Sequence, residues 1–148
     1  MTQEPDPKTR MHSAEHILNQ TMIRMFDCGR CFSAHVEKKK SKCDYHFDRP
    51  LTDTEIRNIE SKVNEIIDAD MPVTAEHMPK ADAARHFNLE RLPDEAEGEL
   101  RIVRVGDYDA CPCIGSHVET TKAIGTFRII SSSFEDGVLR IRYKLARS

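Results

Sequence analysis

The stretch FEDGVLRIRYKL, residues 134–145, decides the class of fold. Its Asp136-Gly137 pair is typical of the two-residue turn of a β-hairpin. After the turn, apolar and basic side chains alternate: Leu139, Ile141, Tyr143 and Leu145 on one face, and Arg140, Arg142 and Lys144 on the other. Because alternate residues of a strand face opposite sides, the pattern predicts a strand over 138–145 with a core face and a basic face. A preceding strand is predicted over 124–131.

Two helices are predicted to pack on this sheet. The segment from Thr52 to Glu55 is a capping box, which marks the start of a helix. The apolar residues after it have helical spacing over about four turns: Ile56, Ile59, Val63, Ile66 and Ile67. Another helix is predicted from His12 to the Asp27–Cys28–Gly29 stretch.

The rest of the chain completes a single domain. Residues 32–36 and 44–48 alternate in polarity and predict a hairpin whose basic tip is KKKSK, residues 38–42. The acidic stretch 79–100 predicts a short helix and a loop, and residues 101–105 predict a strand. Residues 1–10 are expected to form a flexible lead-in to one domain, residues 11–148. The expected class is α+β, an antiparallel or mixed sheet with helices packed on it.

The composition narrows the possible functions. The chain has 148 residues and a net charge of −3, so it has no overall attraction to nucleic acid. A surface for RNA must therefore be local, and two basic patches qualify: Lys38, Lys39, Lys40 and Lys42 at the hairpin tip, and Arg140, Arg142 and Lys144 on the last strand. No apolar run approaches membrane-spanning length and no signal peptide is recognisable, so the expected location is the cytoplasm. Five cysteines in that compartment favour metal binding or reactivity over disulfides.

Two short motifs offer metal ligands. HSAEH, residues 12–16, places His12 and His16 on one face of the predicted helix. CIGSH, residues 113–117, contributes Cys113 and His117, also four residues apart. Three imidazoles and one thiolate are a ligand set that zinc binds in tetrahedral geometry. The spacing alone leaves open whether the two pairs meet.

Other interpretations of these residues compete with that site. HSAEH also fits the H-x-x-E-H pattern of zinc proteases, with Glu15 as a base. Ser116 stands where a nucleobase deaminase needs its second cysteine, which argues against that class. A four-cysteine zinc site remains an alternative, built from Cys28, Cys31, Cys111 and Cys113. The chain has no G-x-x-x-x-G-K and no G-x-G-x-x-G motif, so no nucleotide cofactor is expected.

The two ligand motifs, widely separated in the chain, resemble those of the editing domain of alanyl-tRNA synthetases and of its free-standing AlaX-type relatives. The editing domain of threonyl-tRNA synthetases shares both motifs. The resemblance extends from Met11 to about Arg142. It includes DYHFDRPLTDTEIRNIESKVNEIIDADMPV, residues 44–73, and HVETTKAIGTFRI, residues 117–129, of which the second is closer to the alanyl branch.

This resemblance implies a zinc site built from His12, His16, Cys113 and His117. It also implies hydrolysis of the ester bond of a mischarged aminoacyl-tRNA, most often seryl- or glycyl-tRNA for alanine. Such a second sieve is needed because binding alone discriminates poorly between small amino acids. Editing of Ser-tRNA(Thr), and a zinc-stabilised module that binds RNA or a synthetase without catalysis, stand as alternatives.

Further residues are candidates for the reaction. Glu15 is a possible base or a partner that orients an imidazole, and Ser116 and Thr121 are expected to line the pocket. Ile114 stands where the family has a glycine, which predicts a narrower pocket beside the metal. Zinc in such a site either activates a water or anchors the substrate, and the sequence does not choose between these roles. Phosphate contacts are expected from the two basic patches, in particular from Lys38, Lys39, Lys40, Arg140 and Arg142.

Overall fold

The computed structural model describes residues 5–86 and 98–146. In chain order its elements are helix α1 (Pro7–Phe26), strands β1 (Ser33–His35) and β2 (Ser41–His46), helix α2 (Asp53–Asp68), strand β3 (Val73–Pro79), helix α3 (Lys80–His86), strands β4 (Glu99–Val105) and β5 (Asp109–Pro112), a 3-10 turn (Thr121–Ile124), and strands β6 (Thr126–Glu135) and β7 (Val138–Ala146). The predicted α+β class is confirmed. None of the described helices has the length and apolar character needed to cross a membrane.

The first sheet has the order β1-β2-β7-β6, and each pair of neighbours is antiparallel. The predicted turn between β6 and β7 is confirmed, because Asp136 and Gly137 have φ values of 50° and 79°. Both lie in the left-handed region that a type I′ hairpin turn requires. The alternation along β7 is also confirmed, since Leu139, Ile141 and Tyr143 are fully buried.

The second sheet has the order β3-β4-β5 and is also antiparallel. The sequence predicted β4 but neither of its partners. Strand β3 is exposed at most of its positions and β5 has only four residues, so neither carries a recognisable period-two pattern of apolar residues in the sequence. The predicted short helix within 79–100 is found as α3, whereas residues 87–97 lie outside the described ranges.

Helix α1 begins earlier than the sequence predicted. Asp6 caps it through Oδ1, which accepts the Lys8 backbone N–H at 2.8 Å, and Pro7 occupies the first helical position. Residues 7–10, assigned to the lead-in from the sequence, are therefore helical. The predicted end is confirmed: Asp27 is left-handed, with φ of 54°, and its N–H donates to Ile23 O.

Helix α2 starts at the predicted capping box. Thr52 Oγ1 accepts from the Glu55 N–H, and the Glu55 carboxylate accepts from the Thr52 N–H. The buried faces of α1 and α2 share one core with the first sheet, around the fully buried Tyr45, Phe127 and Tyr143. Each large apolar side chain buried there contributes about 1.5–3 kcal/mol. This core fixes the face of α1 that carries the two histidines relative to the loop after β5.

Candidate metal centre

The two ligand motifs meet in space. His12 and His16 come from α1, whereas Cys113 directly follows β5 and His117 lies in the loop beyond it. One ligand atom from each of the four side chains lies within 4.8 Å of the other three. Cys113 Sγ is 3.4 Å from His12 Nε2 and 3.5 Å from His117 Nε2. A tetrahedral zinc ion with ordinary bond lengths separates its nitrogen and sulfur ligands by about 3.6 Å, so this donor set fits zinc.

Hydrogen bonds on the far side of the rings orient two of the imidazoles. His12 Nδ1 lies 3.3 Å from Ser116 O, to which it donates as the protonated nitrogen. His117 Nδ1 lies 3.0 Å from Ser13 Oγ, which also accepts the Val118 N–H. Outer contacts of this kind fix the tautomer and aim the opposite nitrogen at a metal. In both rings that opposite atom is the Nε2 that faces Cys113.

The third imidazole, that of His16, lies beside the buried carboxylate of Asp109. His16 Nδ1 is 3.5 Å from Asp109 Oδ2 and 3.2 Å from Cys111 Sγ. The Asp109 side chain is fully buried; Arg30 donates to both of its oxygens, at 2.8 and 3.1 Å, and Gln20 donates at 2.9 Å. Burial would raise the pKa of Asp109, but His16 and Arg30 hold it well below its usual range. The carboxylate is therefore ionised beside His16, although no sequence motif pointed to it.

The loop that carries Cys113 is held in place through two of its backbone carbonyl groups. Arg101, on β4, donates to Cys113 O at 3.1 Å and to Gly115 O at 2.7 Å. Gly115 lies directly against His12, because a Cβ added there would come within 2.2 Å of His12 Cε1. Glycine is thus needed for the loop and the helix to approach each other this closely.

The electrostatics of the four ligands suit a cation. Burial would raise the pKa of the Cys113 thiol, but hydrogen bonds with His117 and His12 lower it to about 3. Burial lowers the pKa of His117 to about 4. For His16, burial would also lower the pKa, but Asp109 and the two neighbouring thiols outweigh it and raise the pKa well above its usual value. These shifts favour a thiolate at Cys113 and a proton on His16 in the absence of metal, and a metal ion can replace that proton.

A cavity of about 530 Å³ opens beside the cluster. Two of the candidate residues, Glu15 and Ser116, line it together with His12. Thr9 and Gly115 line it as well, and the sequence had not singled out Thr9. Glu15 is a buried residue, whereas Ser116 is exposed.

Thr121 does not line this cavity, and its hydroxyl is committed elsewhere. Thr121 Oγ1 lies 2.9 Å from Ile66 O and 3.1 Å from Ile67 O, and it accepts the Met71 N–H at 2.9 Å. The hydroxyl therefore provides a hydrogen-bond donor to carbonyl groups at the end of α2, which lack a partner within the helix. The expected role of Thr121 in the pocket is replaced by this structural one.

Ile114 also departs from expectation. The side chain is 81% exposed and is not among the residues that line the cavity. The expectation that it narrows the pocket is therefore wrong. A side chain that projects outward from the loop leaves the space beside His12 unchanged.

The alternative four-cysteine site is not assembled. Cys113 belongs to the histidine cluster and Cys111 contacts His16, whereas Cys31 and Cys43 form another group with Glu15. Cys28 Sγ lies 3.7 Å from Met22 O. Within the described ranges, Cys28 belongs to none of the groups able to hold a metal.

The two predicted basic patches converge on one groove. A second cavity of about 570 Å³ is lined mainly by basic residues: Lys8, Lys38, Lys39, Lys40, Lys42 and Arg142, with His35, Glu37 and Ser41. The antiparallel register places Lys42 of β2 directly opposite Arg142 of β7, which explains why the patches meet. Lys8 lines both this basic groove and the cavity beside His12, so the two are adjacent.

Arg140 differs from the other cations of the predicted patches. Its guanidinium donates to both oxygens of Asp44, at 2.8 and 3.0 Å, and Lys42 lies 3.5 Å from the same carboxylate. The pKa of Asp44 is lowered, with Arg140 as the main cause. In the part of the chain that the structure describes, Arg142 has no such ion pair. Arg142 is thus the more available of the two arginines for a phosphate.

Comparison with known proteins gives two kinds of match. Residues 100–142 match the family described as the threonyl and alanyl tRNA synthetase second additional domain. The chain is 31% identical over 136 residues to an alanine–tRNA ligase of Treponema denticola, which covers 90% of this chain and 23% of the relative. It is 30% identical over 139 residues to that of Methanopyrus kandleri, covering 91% and 15%. For Aeropyrum pernix the identity is 35% over 140 residues, covering 90% and 15%.

The chain thus spans less than a quarter of the length of these relatives. The family match covers β4, β5, the loop with Cys113 and His117, the 3-10 turn, β6 and most of β7. The longer matches cover about nine tenths of the chain and so extend the similarity well beyond this segment. Taken together, the matches show that this chain is similar to the threonyl and alanyl tRNA synthetase second additional domain over residues 100–142, and to part of several alanine–tRNA ligases over about nine tenths of its length.

Proposed function

We propose that the chain is a zinc-dependent aminoacyl-tRNA deacylase that acts in trans on mischarged tRNA, with Ser-tRNA(Ala) or Gly-tRNA(Ala) as substrate. One observation carries the proposal: three imidazoles and a thiolate from distant parts of the chain converge at zinc-ligand distances. The relatives named above are alanine–tRNA ligases, which makes tRNA(Ala) the first candidate.

The ligands and the cavity have separate tasks in this proposal. His12, His16, Cys113 and His117 would hold the zinc, which when bound supplies Lewis-acid and charge stabilisation for ester hydrolysis. The cavity beside His12 would receive the aminoacyl group, because it adjoins the cluster and is lined by polar groups. Glu15 is the candidate base, being a carboxylate in the cavity wall.

Selectivity for serine needs a hydroxyl partner in that cavity. Ser116 and Thr9 both line it and can each hydrogen-bond a substrate hydroxyl. A site built around such a bond discriminates strongly against the analogue that lacks the hydroxyl, because its own polar group is then left unpaired. Alanine, which lacks the hydroxyl, would be spared.

The tRNA backbone would lie in the basic groove. Lys38, Lys39, Lys40 and Arg142 supply the positive charge, and Lys8 connects the groove to the cavity. Phosphate contacts of this kind position a nucleic acid without reading its sequence. The acceptor end would then run from the groove past Lys8 to His12.

A deacylation screen tests the proposal. Zinc-loaded protein is incubated with Ser-tRNA(Ala), Gly-tRNA(Ala), Ala-tRNA(Ala) and Ser-tRNA(Thr), with and without a chelator. We expect chelator-sensitive hydrolysis, faster for Ser-tRNA(Ala) than for Ala-tRNA(Ala). Cleavage of Ser-tRNA(Thr) alone would assign the chain to the threonyl branch, and no cleavage of any substrate would refute the deacylase proposal.

A pair of cysteine variants separates catalysis from binding. Cys113→Ala removes a ligand and should abolish turnover while tRNA binding persists, because the basic groove is separate from the cluster. Cys28→Ala is the matched control and should retain both. If Cys113→Ala bound tRNA but also kept full turnover, the cluster would not be the catalytic centre.

A further inference from the structure

We propose a second cation site, formed by Glu15, Cys31 and Cys43, that takes a thiophilic divalent ion of the Zn²⁺ or Cd²⁺ type. A carboxylate oxygen of Glu15 and the sulfur atoms of the two cysteines all lie within 4.8 Å of one another. The three residues include none of the four histidine-cluster ligands. Glu15 is also the candidate base of the proposed deacylase, so an ion bound here would occupy that carboxylate.

The fold brings the three side chains together between a helix and a sheet. Glu15 lies on α1, Cys31 just precedes β1, and Cys43 is in the middle of β2. Their exposed fractions are 7%, 1% and 0%. Because the hairpin of β1 and β2 packs on α1, the site is enclosed by the main core.

The Glu15 carboxylate is the first sign that this cluster takes a cation. It belongs to a residue that is more than nine-tenths buried, and one of its oxygens lies within 4.8 Å of both sulfur atoms. Burying a carboxylate is costly unless the group is neutralised or paired. A cation held by Glu15 and the two sulfurs removes that cost.

The amide of Asn19 is an independent second sign. Asn19 Oδ1 accepts from the Cys31 N–H at 3.1 Å and from the Tyr45 hydroxyl at 2.8 Å. A backbone N–H can only donate, so this contact fixes which atom of the amide is the oxygen. Asn19 Nδ2 is then left buried beside Cys31 with no partner. A metal-bound thiolate would accept a hydrogen bond from it, as outer groups commonly provide in metal sites.

The donor set determines which ion fits. Binding would release the two thiol protons to solvent and leave two thiolates and one carboxylate oxygen around the ion. Thiolate ligands favour zinc and softer ions over Mg²⁺ and Ca²⁺, which prefer oxygen. Glu15 also lines the cavity beside His12, which gives an ion a route to the site.

Cadmium binding to the reduced, metal-free chain tests the site. The thiolate-to-cadmium absorption band and the cadmium bound after gel filtration are measured as Cd²⁺ is added. We expect two ions per chain for the wild type, and one for Cys31→Ser/Cys43→Ser. Cys28→Ser is the matched control and should still bind two. A wild type that binds only one ion, or a double variant that still binds two, would overturn the proposal.

A second variant protects the test against misfolding of the cysteine double variant. Glu15→Gln has nearly the same volume and removes only the charge of the ligand oxygen. We expect it to fold, to bind the first cadmium as the wild type does, and to bind the second at least tenfold more weakly. Two ions bound with wild-type affinity would refute the role of Glu15. Because no tRNA is present, the outcome does not depend on whether the chain is a deacylase.

Discussion

Replacing Gly115 by alanine should disrupt the proposed metal centre while leaving the fold intact. The added Cβ would come within 2.2 Å of His12 Cε1 and 2.6 Å of His12 Nδ1. Carbon atoms in contact prefer separations of about 3.5–4.0 Å. The imidazole must therefore move by more than about 1 Å, because the backbone of the loop is held by Arg101.

A displacement of that size is large for a metal ligand. Ligand distances in zinc sites are met to within about 0.2 Å, so His12 would no longer coordinate. It would also lose its hydrogen bond to Ser116 O. Losing an outer contact alone costs about 10–100-fold in affinity. We expect zinc affinity to fall by at least 100-fold, measured by competition with a chromophoric chelator.

The backbone of Gly115 does not confound this test. Its φ lies outside the left-handed region, unlike that of Gly98, which is +82°. Gly98→Ala is the matched control, because a Cβ there meets nothing within 4 Å. We expect Gly98→Ala to lose about 1 kcal/mol or more in the free energy of unfolding through backbone strain and to bind zinc normally.

A double-mutant cycle with His12→Ala gives the refuting result. If the clash acts through His12, adding Gly115→Ala to His12→Ala should weaken zinc binding no further. Wild-type zinc affinity in Gly115→Ala would contradict the placement of His12 as a ligand. A further loss in the double variant would mean that the loop itself had moved.

Three other outcomes are expected from the same geometry. In metal-free protein, Cys113 should react with iodoacetamide at a rate that changes little between pH 5 and 8, because its pKa is about 3 and it is already a thiolate; the rate for Cys28, whose pKa is raised, should fall about tenfold for each unit by which the pH is lowered, and zinc should protect Cys113 but not Cys28. Asp109→Asn should lower zinc affinity by about 10–100-fold in the chelator competition, through loss of the charge beside His16, and unchanged affinity would contradict that role. Arg142→Gln should weaken tRNA binding and reduce its salt dependence by about one log-log unit, whereas Arg140→Gln should have the smaller effect because Asp44 already pairs with it; equal effects of the two variants in filter binding would refute this distinction.

Local patterns in the sequence were enough to predict most of the main sheet and both long helices. The Asp136-Gly137 turn, the alternation along β7 and the Thr52 capping box each act within a few residues. Their consequences are therefore nearly independent of the rest of the chain. The pairing of His12 with His16 was also predictable from local sequence, since helical geometry alone places the two residues on one face. Strand β5 and the edge strand β3 were missed because short or exposed strands carry little pattern.

Contacts between distant residues were decided only by tertiary packing. The core between α1, α2 and the first sheet sets how α1 meets the loop after β5, and this brings Cys113 to His12. It also places Asp109 against His16, which no spacing in the sequence indicates.

Sequence patterns were sufficient to identify the candidate ligands, the local elements and the resemblance to a family. Tertiary packing determines which side chains share a site. It places Thr121 at the end of α2, whereas the sequence predicted that this residue lines the pocket. The physical reason is that backbone periodicity and turn chemistry act over a few residues. The neighbours of a buried group, in contrast, depend on how whole faces of helices and sheets pack together.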